Sequence, residues 1–551
     1  MAIHESKGFE ALLRKHFEQV FRTDPLFATY AGLRDGEGKL PHATLDFEKR
    51  LQRRRLRTLA RLASISPTEL NAEQHLDRLA LRSRLVRESE DYERGRHRLE
   101  PNSIEQAFNI LLHELQRPEK DRFRAEKNIR SLLGQIPRFL NEAGALIDRP
   151  ERVWRRIMEE TAGGADSFFQ AVSAFLNRAS RPFQKRKSAG TEVRAKKAQD
   201  ERLIASARRA VLRYRDRILA RAVAPEGSFA IGAEKLQRRV RDELGLDLSL
   251  EEIESLAHFE IARIGGLLEK ECRRFGKQRR PETIIETARS EWSPPEDLVG
   301  FYESETSRIR RRFRRARAVS FPGKERLLVR AVPDFMRHLF PTAAYSSPGA
   351  FEREQRGIFW VNDLGAGKTS ASERRAERQQ HFGLSLTCAH EAYPGHHLQF
   401  TTANRHPRRW RRLFAHAIFY EGWTLWCEQL MVDLKIDPSS WLPVQQLHDA
   451  LWRCHRILVD LRLQTRRYTY EQGVRHLQKH LGFTRSRAEA DVNWYTASPG
   501  VPMSYWLGRL ENARLAHRLM EGRGWSLRRF NDWLLSFGTL PQGWIEKYGL
   551  D

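Results

Sequence analysis

With 551 residues, 40% of them apolar and 10% aromatic, the chain is too long for one small module and too rich in core-forming side chains for a solvated polyelectrolyte. It carries 97 Lys and Arg against 71 Asp and Glu, a net charge of +26 that bears on solubility and attraction to anions rather than on fold. Four scattered cysteines, Cys272, Cys388, Cys427 and Cys454, exclude a disulfide framework or a thiolate zinc cage and suggest a reducing compartment.

The N-terminus, MAIHESKGFEALLRKHF, has no apolar core of signal-peptide length, and no later stretch approaches the roughly 20 apolar residues of a membrane span. A soluble, cytoplasmic protein with no membrane partner is expected. Phe9, Leu12, Leu13, Phe17, Val20 and Phe21 recur at three- and four-residue intervals, and long segments repeat this period, so amphipathic helices should dominate. Residues 1–185 read as an N-terminal helical lobe. The segment Ala179 to Asp200 is polar and basic, broken by Pro182 and Gly190, and reads as a mobile connection. A helical connecting region follows over 200–292 and closes at Trp292-Ser293-Pro294-Pro295. Two strands are predicted, Arg326 to Pro333 and Gly357 to Asn362, each β-branched or aromatic and bounded by turn residues. Basic runs at 53–55, 185–187, 310–315 and 408–412 invite a nucleic-acid reading. No zinc-finger spacing or RNA-recognition signature accompanies them, and many arginines have carboxylates at helical spacing, so a solvated arginine-rich surface is expected.

The chemistry of region 293–551 concentrates in Thr387-Cys388-Ala389-His390-Glu391-Ala392-Tyr393-Pro394-Gly395-His396-His397-Leu398-Gln399. His4-Glu5 and His113-Glu114 have no second histidine close behind; only the dipeptide at 390 does. In the zinc-protease pattern two histidines four apart on one helix face bind the metal, and the glutamate between them is the general base. Here Pro394 holds the four-on position and His396 stands six on, which a straight helix would turn to another face. Pro394 lacks the N–H for the His390 carbonyl, and Gly395 can take positive φ. The helix should therefore end between the imidazoles, swinging His396, or else His397, back toward the metal.

From Trp410 the stripe Phe414, Ala417, Glu421, Leu425 and Glu428 keeps helical spacing, so Glu421 falls among core-facing residues. A buried carboxylate needs a cation or several hydrogen bonds, and a divalent metal meets that need. Glu421 is the favoured carboxylate ligand and Glu428, two turns on, the second candidate. A salt bridge to an arginine is the competing explanation.

At these residues the sequence resembles the bacterial domain-of-unknown-function family numbered 885, whose members look like zinc metallopeptidases with a His-Glu motif and a downstream Glu ligand. The likeness begins at Asp24-Pro25-Leu26-Phe27-Ala28-Thr29-Tyr30-Ala31-Gly32 and continues through Leu244 to Ile264. It peaks at HEAYPGHHLQ and FYEGWTLWCE, then runs through Arg453 to Asp460, Tyr495 to Gly500, Ser504-Tyr505 and Gly508. The resemblance implies a mainly α, two-lobed, zincin-like fold with a small sheet beside a deep cleft. It further implies one zinc per chain on His390, His396 and Glu421, Glu391 as base, and Tyr505 or Tyr495 as an assisting phenol. Gly357 to Asn362 is placed in sequence to be the edge strand that pairs with substrate backbone in related peptidases.

Departures from the family pattern cluster away from the metal. Trp494 stands where Arg is usual, Val501-Pro502 replaces Gln-Ala, Trp506 replaces Lys, and Gln464 replaces His. If the missing groups hold a peptide's charged end, the substrate here is a less charged peptide or amide-containing small molecule. The expected function is metal-dependent hydrolysis of a peptide or amide bond. The alternatives are a metal enzyme acting on a non-peptide small molecule, and a basic nucleic-acid or anionic-surface binder with a relict metal site. Two histidines and a carboxylate also accept cobalt or manganese.

Overall fold

The computed structural model of the chain describes residues 6–117, 121–179, 189–276, 279–332 and 342–550. These are mainly helical and fall into two compact units, one formed by Met1–Ser6, Ser66–Arg84 and Ala230–Asp551 and the other by Lys7–Ile65 and Leu85–Phe229. The expected boundary at 185–200 thus lies inside the smaller unit, and that at 292–293 inside the larger.

The smaller unit shows how directly sequence period becomes packing. Helix Lys7–Thr23 buries Phe9, Leu13, Phe17 and Val20, its three- and four-residue stripe. Asp24 starts the next helix, Pro25–Tyr30, by accepting from the Phe27 N–H at 2.9 Å, with Pro25 in the first turn, where no N–H partner is needed. Helices Arg122–Leu146 and Ala189–Leu219 pack side by side, Gly144 giving the Tyr214 ring room that a side chain would deny. Part of the expected mobile connection, 180–188, lies outside the described residues. From Ala189 the chain is helical, because Ala, Glu, Lys, Arg and Gln, all good helix formers, outnumber the single Gly190.

The larger unit is built on four long helices: Leu250–Cys272, Ala417–Asp433, Leu442–Gln464 and Val501–Arg523. Ile253, Ala257 and Ile264 of the first meet Ile457, Leu458 and Leu461 of the third and Met503, Trp506 and Leu507 of the fourth in one buried cluster. The second and fourth cross at a pair of glycines. A Cβ at Gly508 would stand 1.9 Å from the Ile418 carbonyl oxygen, and one at Gly422 would stand 2.6 Å from Gly508 Cα. No other residue permits so close a crossing, and it sets Glu421, beside Gly422, next to Tyr505, one turn before Gly508.

A three-stranded sheet completes this unit. Strands β1 (Arg326–Ala331), β2 (Ala343–Ser346) and β3 (Arg356–Val361) lie in the order β1-β3-β2, β1 parallel and β2 antiparallel to β3. The expected edge strand at 357–362 is therefore the central one, paired on both sides and carrying buried Phe359, Trp360 and Val361. Its backbone has no free edge for a substrate.

The helix expected from Trp410 begins only at Ala417. Before it, Arg409–Leu413 forms a 3₁₀ turn that presents Arg411, fully buried, to Asp77 and Glu73. Arg408 joins the same carboxylate, Asp77, at 2.5 Å, so two arginines of this basic run are engaged internally.

Candidate metal centre

His390 closes helix Leu384–Glu391 and His396 opens helix His396–Ala403. The break anticipated at Pro394 is there, although Gly395 does not use positive φ: its φ is −71°. Glycine is required because a Cβ would stand 1.8 Å from the His390 carbonyl oxygen and 2.3 Å from that of Ala389. The turn is pinned to the next helix by the Trp423 indole N–H, which donates to the Pro394 carbonyl at 2.8 Å.

The turn brings His396, rather than His397, to His390 and Glu421. Glu421 Oε2 stands 3.6 Å from His390 Nε2 and 3.6 Å from His396 Nε2, and the three candidate ligand atoms lie within 4.8 Å of one another. Such gaps are too long for hydrogen bonds, and Glu421 Oε2 is buried with no partner. Donor atoms on a tetrahedral ion with bonds of about 2.1 Å lie roughly 3.4 Å apart, close to the two gaps from Glu421, so the three residues could hold a divalent cation. His397 turns to the sheet, where its Nδ1 meets the Tyr345 hydroxyl at 3.0 Å above Gly357.

The electrostatics also ask for positive charge at this point. Burial lowers His396 to about 4, leaving the neutral imidazole that ligation needs. Burial also works to lower His390, but Glu421 and Glu428 outweigh it and lift it to about 10, so in the bare protein a proton supplies the missing cation. Glu428, the second candidate ligand, instead accepts from His390 Nδ1 at 2.7 Å, directing Nε2 to the centre. Behind it, Arg453 Nη2 stands 3.8 Å away. Glu391, half-buried, is pushed up to about 7, mainly by burial, with Glu421 and Glu428 adding to the rise and His390 opposing it.

The two candidate phenols part company. Burial works to raise Glu421, but the His396 and His390 imidazoles hold its carboxyl below the usual carboxylate range, and the neighbouring Tyr505 hydroxyl adds to this. Tyr495, fully buried on helix Arg485–Ala497, donates to Asp491 Oδ2 at 3.0 Å, four residues back on the same helix. Two of the departures prove to be core residues. Trp506 donates to Glu260 at 2.9 Å, and Gln464 accepts from the Ile231 N–H at 3.3 Å and donates to the Tyr495 carbonyl at 3.0 Å, so neither reports on substrate charge. Sequence reasoning gave no role to Arg456, which lies over the Tyr505 ring at 4.8 Å, although it stands within the matching segment Arg453 to Asp460.

The family described as "Bacterial protein of unknown function (DUF885)" matches residues 25–547. The chain belongs to this family. Among solved structures, a DUF885 chain of this fold is similar to a "putative lipoprotein of unknown function" from Shewanella oneidensis, at 18% identity and a TM-score of 0.75, over 98% of this chain and 100% of that one. It is also similar to a "putative lipoprotein" from Colwellia psychrerythraea, at 19% identity and a TM-score of 0.78, over 99% of each chain. Comparison with curated proteins finds no match.

These structures overturn the expectation of a cytoplasmic location, since proteins bearing the lipoprotein designation share the fold over nearly its whole length. That expectation rested on unpaired thiols and on the lack of an apolar span. The four cysteines are free and buried, and no helix among the described residues is long and apolar enough to cross a membrane, but neither fact assigns a compartment.

Proposed function

We propose that this DUF885 chain is a zinc-dependent hydrolase of peptide or amide bonds on a zincin-like helical fold, with one metal held by His390 Nε2, His396 Nε2 and Glu421 Oε2. The observation that carries the reading is the buried, unpartnered Glu421 oxygen equidistant from two imidazole nitrogens. When bound there, a divalent cation supplies Lewis acidity that acidifies a water and polarises the scissile carbonyl.

The chain's own residues do the rest. Glu391, beside His390 in the chain, takes the proton of the attacking water and returns it to the leaving amine. Glu428 holds His390 in the tautomer whose Nε2 lone pair faces inward. Tyr505 is assigned the donor to the oxyanion that develops on the substrate; its place as a neighbour of Glu421 supports this.

The test is turnover of a peptide and amide library by the zinc-loaded protein, read by mass spectrometry. Hydrolysis is expected to vanish on chelation, to return with zinc, and to fall about 1,000-fold in Glu391→Gln, which keeps the metal. Undiminished hydrolysis by Glu391→Gln refutes the mechanism.

A further inference from the structure

Arg456, on helix Leu442–Gln464, is 6% exposed. Its Cζ lies 4.0 Å from the Trp452 ring, 4.8 Å from Tyr505, 5.4 Å from Trp494 and 5.9 Å from Tyr495, a cage of four aromatic faces. Its one ion pair, Nη2 to Asp491 Oδ1, spans 3.8 Å, beyond hydrogen-bond range. Asp491 is already engaged, its Oδ2 accepting from Tyr495 at 3.0 Å and from the Trp452 indole at 2.8 Å. Among the described residues none of the five N–H groups of Arg456 meets an acceptor, and Nε is sealed from solvent without a partner.

The same unit shows how it satisfies a guanidinium that is only structural. Arg411 is fully buried and donates to Asp77, to Glu73, to the Glu73 carbonyl and to the Phe537 carbonyl. Arg456 is instead held in place by ring faces, which fix its plane and leave its donor fork unused. A planar fork with free donors matches a carboxylate by two parallel hydrogen bonds. One wall of the cage is Tyr505, a neighbour of Glu421, so an anion on Arg456 sits about one phenol ring from the metal ligands. Glu391, Glu421 and Glu428 would repel a substrate carboxylate, and Arg456 supplies the opposing charge.

We infer that Arg456 is a substrate-binding residue that receives a carboxylate, so that the bond cleaved lies close to an anionic group. The cleavage part rests on the hydrolase reading; the binding part does not. The substrate is then a short peptide or amide bearing either a free C-terminal carboxylate or an acidic side chain, not the uncharged class suggested by the residues at 464, 494 and 506.

The test uses the full-length protein and three acetylated dipeptides: one with a free C-terminal carboxylate, its C-terminal amide, and an amide with a glutamate side chain. Binding to metal-free protein is measured by calorimetry, and hydrolysis separately with zinc. At least one acidic peptide is expected to bind about 100-fold more tightly than the neutral amide, and which one it is distinguishes the two sources. Arg456→Gln and Arg456→Lys should erase most of that preference, raising KM more than they lower kcat. Equal binding of all three, or binding of none, overturns the anchor whatever the turnover assay returns. Acid-selective binding without turnover leaves the anchor standing and removes the hydrolase reading alone.

Discussion

Replacing Gly508 with alanine tests whether the glycine crossing positions the site. The new Cβ would lie 1.9 Å from the Ile418 carbonyl oxygen, whereas the closest favourable C···O contacts are about 3.3 Å, so the helices must separate by roughly 1.4 Å. Both obstacles are backbone, which cannot swing aside as a side chain would, so the cost should reach the upper end of overpacking, about 3 kcal/mol. For a unit of this size that corresponds to a melting temperature lower by roughly 4 °C. Tyr505 is one turn from the new methyl, and a displacement of about 1 Å from Glu421 should lower turnover by about 100-fold. Gly266 serves as the control. It lies in helix Leu250–Cys272 with nothing within 4 Å of an added Cβ, so Gly266→Ala should stabilise by about 1 kcal/mol. Calorimetric melting of both variants beside the parent decides the matter. A Gly508→Ala protein that melts with the parent, or no worse than Gly266→Ala, refutes the close crossing.

Glu428→Gln should weaken zinc binding about 10- to 100-fold, read by competition with a chromogenic chelator, because the His390 tautomer loses its carboxylate acceptor; an unchanged affinity would show that Glu428 does not orient the ligand. Stability should also depend on pH through His455 and His476, whose rings meet at 2.9 Å and which burial lowers to about 4 and about 3. Their folded values lie below the unfolded value near 6.5, so the unfolded chain binds more protons at acid pH. Stability is full above about 6.5 and declines by up to about 1.4 kcal/mol per pH unit per histidine down to the folded values. Urea midpoints between pH 7 and 4.5 should fall less steeply in His455→Gln/His476→Gln, and parallel slopes would contradict the assignment.

Local chemistry made much of this site readable in advance. Proline four residues after a histidine cannot continue a helix, so the break at Pro394 follows from backbone valence alone. The His390–Glu421 pairing follows from where a carboxylate can be buried. Readings failed where distant segments decide. The rank of β3 within its sheet depends on β2, a four-residue strand with little signal of its own. Gly508 is needed because a carbonyl 90 residues earlier in the chain presses on it, and Trp506 and Gln464 resemble substrate-facing substitutions until Glu260 and the Ile231 backbone are seen to hold them. The helix from Trp410 was over-extended because apolar spacing cannot register that Arg411 must reach Asp77.

The most direct test of the metal centre is the metal content of purified protein by inductively coupled plasma mass spectrometry, with His390→Ala and Glu421→Ala measured beside the parent under reducing conditions. About one zinc per chain in the parent and little in either variant is the expected result. A folded parent that holds no metal after incubation with zinc, or variants that keep theirs, would contradict the assignment of His390, His396 and Glu421 as ligands.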